Sequence, residues 1–246
     1  MRIYAVGDVH GHLDKLAAAH QRIAADRERV GDTGAPVVHI GDLVDRGPDS
    51  RGVIEHLIRG QEAGENWVVL KGNHDRMFEL FLADPDNHDP GLRAHLHWVS
   101  PNLGGAATLA SYGVEAAGER TLFDIHETTH AAVPERHAAF LRDLPIYWVA
   151  DGVVFVHAGI RPGVPLAEQA EDDLLWIRDE FLNDTRDHGA LIVHGHTPIE
   201  AVTHYGNRVN IDTGAGYGRA LSAVVIEDGR AWLLAGEGRL EIPPLR

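Results

Sequence analysis

The chain has 246 residues, is 44% hydrophobic and contains no cysteine, which allows a sizeable core and excludes disulfide frameworks, thiolate metal sites and cysteine nucleophiles. Its formal net charge of −15 excludes a broad nucleic-acid-binding surface, because counterion release needs clustered Lys and Arg. No run of about 18 apolar residues is available for a membrane span, and the opening MRIYAVGD lacks the basic flank and apolar stretch of a secretory signal, so a cytoplasmic protein with no membrane partner is expected.

The first half repeats one pattern three times: a short apolar run, a glycine-containing polar turn, then residues at helical spacing. IYAV (3–6) leads into GDVHG (7–11) and a helix over about 12–29; VVHI (37–40) leads into GDLVDRGP (41–48) and a helix through Val53, Ile54, Leu57 and Ile58. WVVL (67–70) then leads into KGNHDR (71–76) and a helix through Phe78, Leu80 and Phe81. The pattern predicts βαβα units with a largely parallel sheet.

From residue 84 to 144 the texture changes to PDNHDPG, a Gly-Gly pair and alanine-rich pieces, which predicts a helical insert within a single domain spanning 1–246. This segment holds HETTH (126–130), whose two histidines and glutamate have the spacing of a zinc-protease helix. Seventeen histidines in the chain make such a match cheap, no third ligand follows at a set distance, and Pro134 is placed to begin a new helix. The expectation is a short surface helix with solvent-facing histidines; His88, His95 and His97 read likewise as polar surface.

Strand-like runs return as IYWV (146–149), VVFVH (153–157), LIVHG (191–195), RVNID (208–212), LSAVVIE (221–227) and AWLLA (231–235). Asp151-Gly152 and Asp228-Gly229 are hairpin signals, and an antiparallel or mixed arrangement is expected. The GAGYG run (214–218) lacks the last glycine of a dinucleotide-binding loop, since position 219 is Arg.

Ligand sites in open α/β sheets lie beyond the carboxyl ends of strands. Six polar clusters here occupy such ends: Asp8 with His10, Asp42 with Asp45, Asn73 with His74, His157, His196 and Asp212. Singly, each has an ordinary explanation as a helix cap, a surface pair or a hydrogen-bonded core histidine. Jointly they form a mixed nitrogen and oxygen set that suits Mn, Fe or Zn better than Ca or Mg. His39 and His194 read as core residues or as support behind the ligands.

The ordered set GDVHG, GDLVDRG, GNHD, HAG and HGHT resembles the bacterial phosphoprotein phosphatases of the calcineurin-like metallophosphoesterase superfamily, from Gly7 to about Gly214. The resemblance implies an α/β fold, a β-sandwich flanked by helices, and two divalent ions, here expected to be manganese with iron or zinc as alternatives. Asp8, His10 and Asp42 would hold the first ion, and Asp42, Asn73, His157 and His196 the second. It further implies attack on phosphorus by a metal-bridging hydroxide, with His74 as general acid and Asp45 orienting it. Arg46 and Arg178 would bind phosphate, with Arg161 competing with Arg178 for that role.

Asp75 replaces the Glu of the usual GNHE motif, and the C-terminal loop NIDTGAGYG differs from that of the eukaryotic serine/threonine enzymes. The bacterial diadenosine tetraphosphate hydrolases on the same scaffold typically lack an Asp at position 45. Retention of Asp45 therefore leads to the expectation of a metal-dependent phosphomonoesterase, a serine/threonine protein phosphatase acting on a phosphorylated protein or small phosphoester. Dinucleoside polyphosphate hydrolysis is the alternative, and a zinc peptidase is a remote one.

Overall fold

Runs that are apolar at every position, such as YAV (4–6) and VVFV (153–156), suit strands covered on both faces. In the computed structural model, which describes residues 1–116, 120–236 and 238–245, they lie at the centres of two packed sheets. The strands are β1 Arg2–Val6, β2 Val37–His39, β3 Trp67–Val69, β4 Tyr147–Ala150, β5 Val153–Val156, β6 Leu191–His194, β7 Thr203–His204, β8 Arg208–Asn210, β9 Ala223–Glu227, β10 Arg230–Ala235 and β11 Gly238–Ile242. The α-helices are α1 Leu13–Val30, α2 Ser50–Glu62, α3 Asn73–Ala83, α4 Gly105–Ser111, α5 Leu122–Ala132, α6 Glu135–Asp143, α7 Glu171–Trp176 and α8 Asp179–Leu182.

One sheet runs β11-β10-β9-β1-β2-β3 and the other β4-β5-β6-β8-β7. Within the first, β1, β2 and β3 are parallel and β9 to β11 antiparallel. Within the second, β5, β6 and β8 are parallel, flanked by antiparallel β4 and β7. The mixed alternative for the second half is therefore the one adopted: the chain between β5 and β6 crosses over through α7 and α8 instead of turning back in a hairpin. Both expected hairpins form, with Asp151 and Gly152 at φ 53° and 75°, and Asp228 and Gly229 at 51° and 73°. These left-handed values match the twist of a two-residue connection.

Period-two alternation decides which layer each side chain enters. Ile3, Ala5, Val38 and Ile40 meet Phe155, Val193, Val209 and Ile211 between the sheets. Tyr4, Val6 and Val37 point the other way, into a core shared with Leu16, Ile23, Val53 and Leu57 of α1 and α2. Val154, Val156 and Ile192 face Leu174, Ile177 and Phe181 on the far side of the second sheet. The result is a helix–sheet–sheet–helix stack whose strand ends open on one edge.

Within residues 84–144, α4 to α6 join the first helical layer, and Trp98 stacks on Phe78 of α3 with ring centroids 4.8 Å apart. HETTH lies on α5, which ends before Pro134 as expected. Its histidines are not both turned to solvent: His126 packs edge-on against Phe81 and its Nε2 lies 3.1 Å from the Leu82 carbonyl. The helix thus faces α3. His88, His95, His97 and His130 are exposed, and His39 and His194 are fully buried.

The inter-sheet layer is the thermodynamic centre of this arrangement, because Phe155 has no exposed surface. Phe155→Ala should lower the unfolding free energy by about 3–5 kcal/mol, whereas Val149→Thr, at a site 48% exposed, should change it by about 0.5 kcal/mol or less. Equilibrium urea unfolding of the two variants checks the contrast.

Candidate active site

The loops after β1, β2, β3, β5 and β6 all leave the sandwich on the same edge, and glycines let them touch. A Cβ on Gly41 would lie 2.5 Å from the Gly72 nitrogen, one on Gly72 2.2 Å from the Asp42 nitrogen, and one on Gly195 2.0 Å from Asp8 Oδ1. Only a hydrogen at these positions allows the approach.

Of the seven non-glycine residues with positive φ among the described residues, five are His10, Asp42, Asp45, Arg46 and His196; the other two are the hairpin aspartates. Such conformations are strained and persist where neighbouring contacts over-determine them. Here the His10 amide donates to the Asp42 carbonyl (2.8 Å), the Asp45 amide to Thr108 Oγ1 (2.8 Å), the Arg46 amide to the Gly104 carbonyl (3.2 Å) and the His196 amide to Asp8 Oδ2 (3.0 Å).

Asp42 lies at the centre. Its Oδ2 is 3.4 Å from His10 Nε2 and its Oδ1 3.3 Å from His157 Nε2, and Oδ1 also accepts the His74 amide at 3.0 Å. That amide belongs to the first turn of α3, so the positive end of the helix faces the carboxylate. Two ligand-type groups form around it, His10–Asp42–His74 and Asp42–His157–His196, each with its donor atoms within 4.8 Å of one another. Asn73 Oδ1 is 2.9 Å from both His157 Nε2 and His196 Nδ1. Asp8 contributes a carboxylate oxygen, Oδ1, that is buried without a partner, as is His196 Nε2.

The tautomers follow from the backbone. His10 Nδ1 lies 2.9 Å from the Val44 carbonyl and His157 Nδ1 3.0 Å from that of Ile40, so each donates there and presents a bare Nε2 lone pair. His10 Nε2 accepts from Arg46 Nη1, whose other terminal nitrogen, Nη2, donates to His74 Nε2 at 3.0 Å. Burial keeps His10, His157 and His196 below the usual imidazole range, and hence neutral. Burial opposes ionisation of Asp42; the hydrogen bond donated by the His74 amide favours the carboxylate, and the imidazoles around it, His157 first, lower its carboxyl only in so far as they carry a proton. Burial, with Asp212 and Asp42 nearby, raises Asp8, and burial pushes Asp212 up to about 6.

A divalent cation fits this donor set. Neutral imidazoles, an amide oxygen and buried carboxylates that resist ionising together are compensated by positive charge among them, and the two unpartnered atoms, Asp8 Oδ1 and His196 Nε2, are the kind a metal ion satisfies.

His74 is tied to Asp45 by a 2.6 Å bond from Nδ1 to Oδ2. Asp45 is fully buried and also accepts from Trp98 Nε1 (2.9 Å) and Thr108 Oγ1 (2.7 Å). Trp98 and Thr108 come from the 84–144 segment, and no local signal at either residue pointed to Asp45, since the link exists only in three dimensions. Asp75, unremarkable as a substitution in GNHD, joins two loops by accepting from the Leu43 amide (2.9 Å) and the Gly72 amide (2.8 Å). Arg161 is held by Asp173 at 2.6 Å and Glu180 at 3.1 Å. Arg178 is exposed, and its Nη1 donates to Thr197 Oγ1, next to His196, at 3.2 Å.

Residues 1–225 match the calcineurin-like phosphoesterase family. Proteins named bis(5'-nucleosyl)-tetraphosphatase PrpE, asymmetrical, are similar end to end: that of Anoxybacillus flavithermus is 26% identical, covering 89% of this chain and 88% of its own length, and that of Bacillus subtilis 25%, covering 88% and 87%. A crystal structure of a putative diadenosine tetraphosphatase superposes with a TM-score of 0.62 at 22% identity, covering 99% of this chain and 94% of that one. A cold-active protein-tyrosine phosphatase of a Shewanella species gives 0.62 at 17%, covering 98% and 80%. At these identities the two structures show the fold.

These relatives overturn the expectation of a serine/threonine protein phosphatase. That expectation rested on Asp45, and the geometry gives the reason it misled. Asp45 is sealed behind His74, Trp98 and Thr108, so it does not touch a substrate and cannot distinguish a phosphomonoester from a phosphoanhydride. The α/β sandwich, the family match and the clustered donors agree: the chain belongs to the calcineurin-like phosphoesterase family of metal-dependent phosphoester hydrolases.

Proposed function

We propose that this protein hydrolyses dinucleoside tetraphosphates, cleaving off-centre to release a nucleoside triphosphate and a nucleoside monophosphate. The observation that carries the reading is the end-to-end likeness, over about nine-tenths of both chains, to relatives named asymmetrical bis(5'-nucleosyl)-tetraphosphatases. In this reading Asp8, His10 and Asp42 hold one divalent cation, and Asp42, Asn73, His157 and His196 the other. Bound there, the cations supply Lewis acidity, which makes water nucleophilic at neutral pH and offsets phosphate charge.

The chain's own residues do the rest. The guanidinium of Arg46 reaches both His10 and His74, so a phosphate it grips is held beside them; its forked donors suit phosphate oxygens. Arg178, with a single hydroxyl partner, is free to swing to a second phosphate, and Arg161, committed to two carboxylates, is not. In an acidic chain of net charge −15 these arginines supply local positive charge for a polyanion. With Arg46 turned to the phosphate, His74 can carry a proton on Nε2 as well as on Nδ1; as water's oxygen bonds to phosphorus and the bond to the bridging oxygen breaks, that Nε2 proton passes to the leaving oxygen, and the proton that the water gives up restores it. Asp45, bonded to Nδ1, keeps Nε2 aimed at the reaction.

Incubation with diadenosine tetraphosphate and Mn²⁺ should yield adenosine mono- and triphosphate by ion-exchange chromatography; no cleavage, or only the diphosphate, contradicts the reading. His74→Asn should lower kcat by about 10²-fold or more, and Asp45→Asn, which loosens the imidazole without removing it, by roughly tenfold.

Cation binding is measurable without turnover. Mn²⁺ at a hundred times its dissociation constant should raise unfolding free energy by about 2.7 kcal/mol per site. With a chelator present, Asp212 at about 6 exceeds its unfolded value of 3.8, so the folded state binds the extra proton. Its contribution to stability is complete below about pH 4 and is lost as pH rises through about 6. Mn²⁺ should flatten that loss, which chemical denaturation across pH 4–7 would reveal.

A further inference from the structure

The GAGYG turn, which is no dinucleotide-binding loop, sits against the candidate site. A Cβ on Gly216 would lie 2.7 Å from His10 Cδ2 and 3.0 Å from Arg46 Cδ, so the bare backbone of the turn forms a wall beside both. The turn is stiff. Gly214 and Gly218 stand at φ 77° and 84°, Asp212 Oδ1 accepts the Gly214 amide at 2.8 Å, and Lys15 Nζ donates to the carbonyls of Ala215 and Arg219 at 2.9 Å each. At its tip Tyr217 is 60% exposed, with the guanidinium of Arg46 4.8 Å from its ring centroid. Among the described residues the other aromatic side chain this open is Phe123, on α5.

A large aromatic ring left open on a rigid turn, at the rim of a phosphate-directed arginine, has the properties of a stacking surface: every nucleobase has a π face, and little side-chain entropy is lost. We propose that Tyr217 stacks one nucleobase of the substrate and thereby sets which phosphate lies at Arg46. The inference rests on the dinucleotide reading above. With the ring this near the guanidinium, only a ribose separates a stacked base from Arg46, so the phosphate attached to that ribose falls in the site and the central linkage lies beyond it. Water then adds its hydroxyl to phosphorus and a proton to the bridging oxygen at the bond between the first and second phosphates. Off-centre cleavage follows from the register.

The competing role for Tyr217 is to stiffen Arg46 through the cation–π contact, which would affect every phosphoester alike. The test compares wild type, Tyr217→Ala and Tyr217→Phe on diadenosine tetraphosphate and on p-nitrophenyl phosphate, which lacks a base. Stacking predicts that the ratio of kcat/KM for the dinucleotide to that for the aryl ester falls about tenfold or more in Tyr217→Ala and is retained in Tyr217→Phe. It also predicts that adenosine monophosphate binds wild type more tightly than ribose 5-phosphate by calorimetry, and that Tyr217→Ala erases the difference. Equal losses on both substrates, or a base preference that survives Tyr217→Ala, overturn the proposal. If wild type cleaves the aryl ester but not the dinucleotide, the functional reading fails, and the calorimetric comparison still decides whether Tyr217 stacks a base.

Discussion

The structure depends on one buried carboxylate. Asp42 sits at the end of the central parallel strands, among the imidazoles of His10, His74, His157 and His196, with the first turn of α3 pointing at it. A negative charge in that position is tolerable only if positive charge or donated hydrogen bonds surround it. The neighbouring loops are built to that end. Glycines 41, 72 and 195 allow backbone to approach within contact distance, and five residues accept left-handed conformations in doing so. Strain concentrated at one edge of an otherwise regular sandwich marks where the fold gives up local stability to bring ligand-type groups together.

In the proposed function an acidic chain addresses a polyanion, and the three-dimensional arrangement bears on how it would do so. Two of the three carboxyls at the centre, Asp8 and Asp212, are raised by burial and by neighbouring carboxylates, Asp212 and Asp42 in the case of Asp8 and Asp42 in the case of Asp212, so cations sharing the space would favour their charged forms. His10, His157 and His196 are neutral for the same reason, burial, and the first two have tautomers fixed by the Val44 and Ile40 carbonyls. Charge at the site is thus set by what binds there, while the remaining excess of acidic residues lies elsewhere on the chain.

The strand-end clusters were legible because their signal is local: an apolar run, a glycine and a ligand-type residue within a few positions. Asp8, His10, Asp42, Asn73, His74, His157 and His196 are all brought to one edge, as the expectation required. The hairpin turns were legible for the same reason. What the sequence did not reveal is long-range. Trp98 and Thr108 grip Asp45 from more than fifty positions away, β7 and β11 carry too little periodicity to be read, and the parallel placement of β5, β6 and β8 depends on a crossover through α7 and α8. Substrate choice misled for a related reason: the mere presence of Asp45 was taken to favour a phosphomonoester, and Asp45 is a buried support for His74 that does not itself meet the substrate. HETTH shows the reverse error avoided. Its spacing is local and correct, yet His126 is spent on packing against Phe81 and the Leu82 carbonyl.

The central claim is that Asp42 is shared by two cation sites, since both donor groups include it. The most direct test counts bound Mn²⁺ per chain, by equilibrium dialysis with elemental analysis, in wild type and in Asp42→Asn. The account predicts two ions in wild type and weakened occupancy of both sites in the variant. Two tightly held ions in Asp42→Asn, or the loss of one site with the other unaffected, would contradict it.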